Sequence, residues 1–288
     1  MTSFKTTIEP FKIKSVEPIK MTTEKERQKY LEESGYNVFN LKADDVLIDL
    51  LTDSGTSAMS EHQWGKVMEG DESYAGSDSW YRMKNVITRL TGIENILPVH
   101  QGKDKYFYSN THFDTTRANV EYTGAEAIDI SVQETCELHE YHPFKGDLDT
   151  KKLKNQLENG CKEKIGGVIL TMTNNSGGGQ PVSMKNVKEV SSLCKKFETP
   201  LFIDCCRIAE NAWFIKEREE GYKNMSPSEI ARKVFNMADG ALMSAKKDGL
   251  VNMGGFMAMK DNELYEKCKE KLIITEGYLT YGGLSGRD

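Results

Sequence analysis

The sequence predicts an α/β domain whose sheet is mostly parallel and flanked by helices. The first observation is a short apolar, β-branched run, Gly167-Val-Ile-Leu-Thr-Met-Thr173, which suits a strand buried on both faces. The second is the stretch directly after that run. A polar, glycine-rich loop from Asn174 to Pro181 leads to Ser183, placed to cap a helix with Val187, Val190, Cys194 and Phe197 at helical spacing. The third is Pro200-Leu-Phe-Ile-Asp204, another strand. Strand, helix and strand in that order make a βαβ unit, whose crossover joins parallel strands.

The remaining elements are read in chain order. Residues 1 to about 45 are polar with scattered apolar positions and read as an extended arm and a short helix around Glu24–Glu33. Residues 46–288 then form one large domain. Beyond the βαβ unit, Ala238–Ser244 and Gly254–Met259 read as strands on either side of a polar Lys246-Lys247-Asp248 turn. Ligands of open parallel sheets sit at the carboxyl ends of the strands. Three features fall there: the Asn174–Gly179 loop, Asp204 with Arg207, and Ser244 with Lys247.

Composition narrows the function classes. Hydrophobic residues at 38% and charged residues at 28% suit a globular chain with a real core. A net charge of −6 argues against a general nucleic-acid or membrane-surface role, because phosphate partners favour basic faces. Cysteines stand at 136, 161, 194, 205, 206 and 268 without a Cys-x-x-Cys pair, so free thiols fit better than zinc or a disulfide framework. Met1–Pro10 holds no apolar signal core and no stretch approaches membrane-spanning length, so a cytoplasmic location is expected.

The residues at the strand ends suggest amine and carboxylate chemistry. Lys247, beside Lys246, sits where a cationic or desolvated setting encourages loss of its proton. A carboxylate such as Asp204 can hold a pyridine nitrogen protonated and so make the ring of pyridoxal phosphate an electron sink. Arg207 is placed to contact the ring oxygen, and Phe113 is a candidate to stack on the ring. Plainer readings stand beside these: a solvated lysine turn, Asp204 as a helix cap, and a glycine-rich loop that is only a turn. Ser244-Ala-Lys-Lys247 also fits the Ser-x-x-Lys pattern of acyl-transfer enzymes, where it opens a helix rather than following a strand.

Longer segments carry a resemblance. Ile48-Asp-Leu-Leu-Thr-Asp-Ser-Gly-Thr56, Gly70-Asp-Glu-Ser-Tyr-Ala-Gly-Ser77, Gly178-Gly-Gln-Pro-Val-Ser183, Ala209-Glu-Asn-Ala-Trp-Phe-Ile-Lys216, Met243-Ser-Ala-Lys-Lys-Asp248 and Tyr281-Gly-Gly-Leu284 resemble the tryptophanase and tyrosine phenol-lyase family in wording and order. The resemblance covers essentially the whole chain. It implies the large domain of a fold-type-I, aspartate-aminotransferase-like enzyme that uses pyridoxal 5′-phosphate to release the arene of an aromatic amino acid, with pyruvate and ammonia. It also implies roles. Lys247 holds the cofactor as a Schiff base and moves the α-proton; Asp204 pairs with the ring nitrogen; Arg207 and Asn175 contact the ring oxygen; Phe113 stacks. Gln101, Gly102 and Ser244, with Lys246 nearby, hold the phosphate, and Thr52 and Ser54 line the substrate side. Members of the family are tetramers with sites shared between copies: Tyr74 and Tyr281 match tyrosines that reach a neighbour's site, Tyr74 as general acid for the leaving ring. Gly55, Glu72 and Asn252 match positions for an activating monovalent cation, usually potassium, which suits oxygen ligands. Phe113-Asp114, where tyrosine phenol-lyases carry threonine after the phenylalanine, implies tryptophan as substrate and Asp114 as an aid to expelling indole, unless Asp114 merely caps a helix.

Two departures from the family pattern shape the expectation. After His100-Gln-Gly-Lys103 the helix that cradles the phosphate is absent, which reads as an internal deletion after Gly102. The sequence ends at Gly286-Arg-Asp288, where the family continues into a small C-terminal domain, so that domain is expected to be missing. Weak or absent indole release from this chain alone is therefore expected. A tyrosine phenol-lyase, a relative that binds cofactor or partners without turnover, and a serine acyl-transfer enzyme stay open as alternatives.

Overall fold

The computed structural model describes residues 20–49, 59–71, 73, 75–98, 106–137, 139–251 and 253–280. The chain divides into two compact units between Asp53 and Ser54. In the first, helix α1 spans Glu24–Glu33, where the sequence places it. Thr23 caps it through a capping box with Glu26, so two amides that a helix start leaves unpaired are satisfied. Lys20 pairs with Asp45 at 2.6 Å and reaches the Tyr30 hydroxyl at 3.2 Å, drawing the ends of this unit together.

The second unit holds the sheet. Along the chain run α2 (Glu61–Glu69), α3 (Asp78–Thr91), β1 (Asn95–Pro98), β2 (Tyr106–Ser109), α4 (Asp114–Tyr122), β3 (Ala127–Asp129), α5 (Thr150–Asn159) and β4 (Ile165–Thr171). Next come α6 (Met184–Lys196), β5 (Leu201–Asp204), α7 (Ile208–Arg218), α8 (Pro227–Met237), β6 (Gly240–Ser244), β7 (Gly255–Met259) and α9 (Asn262–Thr275). The strands order as β1-β7-β6-β5-β4-β2-β3. The run from β6 to β3 is parallel throughout; β7 runs the other way, and β1, antiparallel to β7, points with the rest. A mostly parallel sheet is therefore what the βαβ pattern foretold.

Both faces of the sheet are covered, as alternating side chains require. Ile96, Ile203, Ala241, Phe256 and Ala258 join the main core with Ile87 of α3, Val187 and Val190 of α6, Ile215 of α7 and Phe235 of α8. Their strand neighbours Leu97, Phe202, Met257 and Met259 pack the opposite way, against Leu264, Tyr265 and Leu272 of α9. The predicted apolar stripe of α6 is buried at Val187, Val190 and Cys194, while Phe197 ends the helix half-buried. Ser183 caps α6 by accepting from the Asn186 amide at 3.0 Å. Two buried asparagines brace the same region. Asn186 both donates to and accepts from the Leu148 backbone, and Asn211 does the same for Val182, so each closes a peptide unit that no strand pairs.

Candidate active site

The parallel strands β2, β4, β5 and β6 end at one edge of the sheet, and each hands the chain to a segment lining the same cavity of about 410 Å³. That is large enough for a small cofactor and part of a substrate. After β2 come Phe113, Thr115, Thr116 and Asn119; after β4, Thr173 and Asn175. Asp204 ends β5 and is followed by Cys206 and Arg207; Ser244 ends β6 and is followed by Lys246 and Lys247. Met253 and Phe256 close the cavity from the antiparallel return.

Asp204 is the electrostatic centre. It is buried, and desolvation pushes its carboxyl above the ordinary range, opposed by hydrogen bonds from Cys206 and by the Lys247 and Arg207 charges. The helix-cap reading does not describe it: α7 starts after Arg207, and the carboxylate that accepts from the Ala209 amide, at 2.6 Å, is Asp248. The Asp248 amide in turn donates to the Cys206 carbonyl at 3.2 Å. The lysine turn is thereby bonded to the start of α7. Lys247 Nζ lies 3.4 Å from Ser244 Oγ and 5.8 Å from the centre of the Phe113 ring. Amine, carboxylate and aromatic face thus surround one volume.

The loop after β4 is held by its own asparagines. Asn174 and Gln180 exchange backbone bonds of 2.8 and 3.1 Å, and the narrow turn between them needs Gly178 and Gly179 at φ of 86° and 69°. Asn174 Nδ2 donates to Thr111 Oγ1 at 3.1 Å, which fixes Asn175 at the cavity edge. Behind it, fully buried Asn110 donates to the Gly146 and Thr171 carbonyls and accepts from the Thr171 amide.

Phe113 caps the start of α4 without a side-chain cap bond, and its base is set by a cluster that sequence reasoning missed. Buried His112 places Nδ1 2.7 Å from Asp129 Oδ1, and Arg117 donates to the other Asp129 oxygen at 2.6 Å. Desolvation pushes the imidazole below its ordinary range, against the Asp129 contact that raises it. Asp114 lies on the exposed first turn of α4 and does not line the cavity; Thr115, Thr116 and Asn119 do. The spacing of Thr115 and Asn119, one helical turn apart, is the signal that could have found them. Cys206, in the turn between β5 and α7, was overlooked because adjacent cysteines in an apolar run read as core.

The structure therefore brings together Phe113, Asn175, Asp204, Arg207, Ser244, Lys246 and Lys247. Thr52, Ser54, Gly55, Glu72, Tyr74, Gln101, Gly102, Asn252 and Tyr281 lie outside the described residues. Among the described residues no His, Cys, Asp and Glu cluster could hold a metal ion, and no helix is long and apolar enough to cross a membrane.

The chain has known relatives. The family model for beta-eliminating lyases matches residues 49–282. The chain belongs to the β-eliminating lyase family. Within that family it is 50% identical over 296 residues to a tryptophanase from Salinibacter ruber, covering 98% of this chain and 63% of that protein. A tyrosine phenol-lyase from Clostridium tetani is 46% identical over 293 residues, covering 97% of this chain and 64% of the relative. The chain thus spans a little under two thirds of the length of these lyases. The fold is shared more widely: a PLP-bound C-S lyase from Staphylococcus hominis superposes with a TM-score of 0.54 at 13% identity, covering 88% of this chain and 68% of that one. A fold-type-I architecture follows, as the resemblance implied.

Proposed function

We propose that this β-eliminating lyase chain binds pyridoxal 5′-phosphate and serves the cleavage of an aromatic amino acid, tryptophan before tyrosine, to arene, pyruvate and ammonia. The observation that carries the reading is the convergence of Asp204, Lys247 and Phe113 on one cavity at the carboxyl ends of parallel strands. The residues fit the group. A buried carboxylate gains from a protonated ring nitrogen, an amine stands beside it on the cavity wall, and the buried Thr173 hydroxyl there has no partner among the described residues. Tryptophan is favoured by Asp114 after Phe113 and by the higher identity to the tryptophanase.

Bound there, pyridoxal phosphate supplies a pyridinium ring that accepts the electron pair released when a bond at Cα breaks. Asp204 keeps the ring nitrogen protonated, and Phe113 covers one face. Arg207 and Asn175 hold the ring oxygen, while Ser244 and Lys246, with Gln101 and Gly102, bind the phosphate. Lys247 would hold the aldehyde carbon and move the proton at Cα. A substrate-side role for Thr52 and Ser54 is supported by the resemblance of those positions alone. A tetramer with shared sites, in which Tyr74 and Tyr281 serve a neighbouring copy and Tyr74 is the acid for the leaving ring, is supported by the resemblance of those positions alone. A potassium ion at Gly55, Glu72 and Asn252 is supported by the resemblance of those positions alone. A cytoplasmic setting accords with six free cysteines.

A titration with pyridoxal phosphate, followed by absorbance in the parent and in Lys247→Ala, tests the reading. A saturable band in the parent alone supports it; no band, or the same band in both proteins, overturns it. Indole release from tryptophan against phenol release from tyrosine then decides the substrate. The Ser244–Lys247 contact at 3.4 Å also suits serine acyl transfer, for which acylation of Ser244 by an activated ester is the diagnostic result.

A further inference from the structure

The paired cysteines point their thiols into different surroundings. Cys205 is buried in the core, and its thiol donates to the Leu242 carbonyl at 3.1 Å. Cys206 lines the cavity. Its sulfur accepts from the Ser244 amide at 3.1 Å, and its thiol hydrogen goes to the Asp204 carboxylate, which also takes the Cys206 amide at 3.3 Å. A thiol has one hydrogen to give and weak acceptor capacity, and here both are used. One side chain thereby joins the end of β5 to the end of β6 at the cavity wall.

We propose that Cys206 is a positioning residue whose thiol, bridging the Asp204 carboxylate and the Ser244 amide, fixes the carboxylate toward the cavity. The proposal rests on the reading of Asp204 as the partner of the cofactor's ring nitrogen. Without the thiol, Asp204 keeps only the 3.3 Å bond from the Cys206 amide among its hydrogen bonds to this segment, and its plane is free to turn. The bridge also accounts for a thiol that stands at the cavity wall with its hydrogen already engaged. Burial first, then the Asp204 charge, push it well above the ordinary thiol range, and the Lys247 charge only partly offsets this. Serine can keep both bonds of the bridge; alanine keeps neither.

Two measurements on the full chain test this. The first uses no ligand: iodoacetamide labelling of Cys206, read by peptide mass from pH 7 to 10 with exposed Cys136 and Cys161 as references. Cys206 is expected to react at least about tenfold more slowly than the references, and Asp204→Asn to raise its rate by about tenfold at pH 8, with circular dichroism showing the variant folded. An unchanged rate profile in folded Asp204→Asn overturns the bridge. The second is the pyridoxal phosphate titration. Cys206→Ala is expected to raise Kd about tenfold and shift the absorbance band, and Cys206→Ser to stay within about threefold of the parent. Equal binding and an unshifted band in Cys206→Ala overturn the proposal. If the parent itself binds no pyridoxal phosphate, the functional reading fails, and the labelling profile alone decides the bridge.

Discussion

Asn110→Ala should cost more stability than any surface change of the same chemistry. The Asn110 side chain is fully buried and donates to the Gly146 carbonyl at 2.8 Å and the Thr171 carbonyl at 2.9 Å, while accepting from the Thr171 amide at 2.9 Å. Three such bonds contribute about 1 kcal/mol each net, and leaving a buried amide unpaired adds about 1–3 kcal/mol. Allowing for relaxation, the expected loss is about 3–5 kcal/mol, or roughly 10 °C in melting temperature for a unit of this size. Thermal unfolding of the full chain by circular dichroism, with exposed Asn159→Ala as the control, measures it. The control should stay within about 0.5 kcal/mol of the parent. Because the same bonds tie the end of β4 to the segment behind the Asn174–Gln180 loop, pyridoxal phosphate should also bind more weakly to Asn110→Ala. A loss below about 1 kcal/mol with unchanged ligand binding would refute the idea that this asparagine frames the site.

The same geometry sets other outcomes. Burial first, then the Glu219 and Glu189 charges, hold the Asp147 carboxyl up to about 7, against the hydrogen bonds from Ser183. The folded state therefore binds a proton that the unfolded chain releases near pH 4, so stability should fall as pH rises from 4 to 7, by at most about 4 kcal/mol. Urea melts at pH 5 and pH 8 check this, and Asp147→Asn should flatten the difference. Gly146→Ala should destabilise by about 2 kcal/mol or more, because a Cβ there would run into the Gln180 carbonyl and sit 2.7 Å from that of Pro181; urea midpoints report it. Phe113→Ala should weaken pyridoxal phosphate binding about tenfold, whereas exposed Asp114→Ala should leave it within about twofold, both read by titration. Ser226→Ala removes the capping box of α8 and should cost about 1 kcal/mol in the same melts.

Much of the site was legible because its parts are local. A strand followed by a glycine-rich loop and a capped helix announces itself, and so do Asp204 and Ser244 at the ends of apolar runs. The sheet's far edge was not. β1 is short, and its place beside β7 depends on a pairing between residues more than 150 positions apart, such as Asn95 with Met259. The cavity wall was legible only in part for a related reason. Sequence spacing puts Asp114 next to Phe113, but helical geometry turns it outward and presents Thr115, Thr116 and Asn119 instead. Cys206 and the His112–Asp129–Arg117 cluster were hidden because their significance lies in which distant backbone they meet.

The link between Asp248 and the start of α7 has a mechanical consequence. Asp204, the turn into α7, the Ala209 amide, Asp248 and Lys247 form a closed circuit, completed by the 2.6 Å bond from Ala209 and the 3.2 Å bond to the Cys206 carbonyl. The spacing between carboxylate and amine is therefore set within this small ring rather than across the whole sheet. A lysine whose neighbouring aspartate were lost would keep its place in the sequence but lose the carboxylate's bond, one of the two that tie its turn to the chain after Asp204.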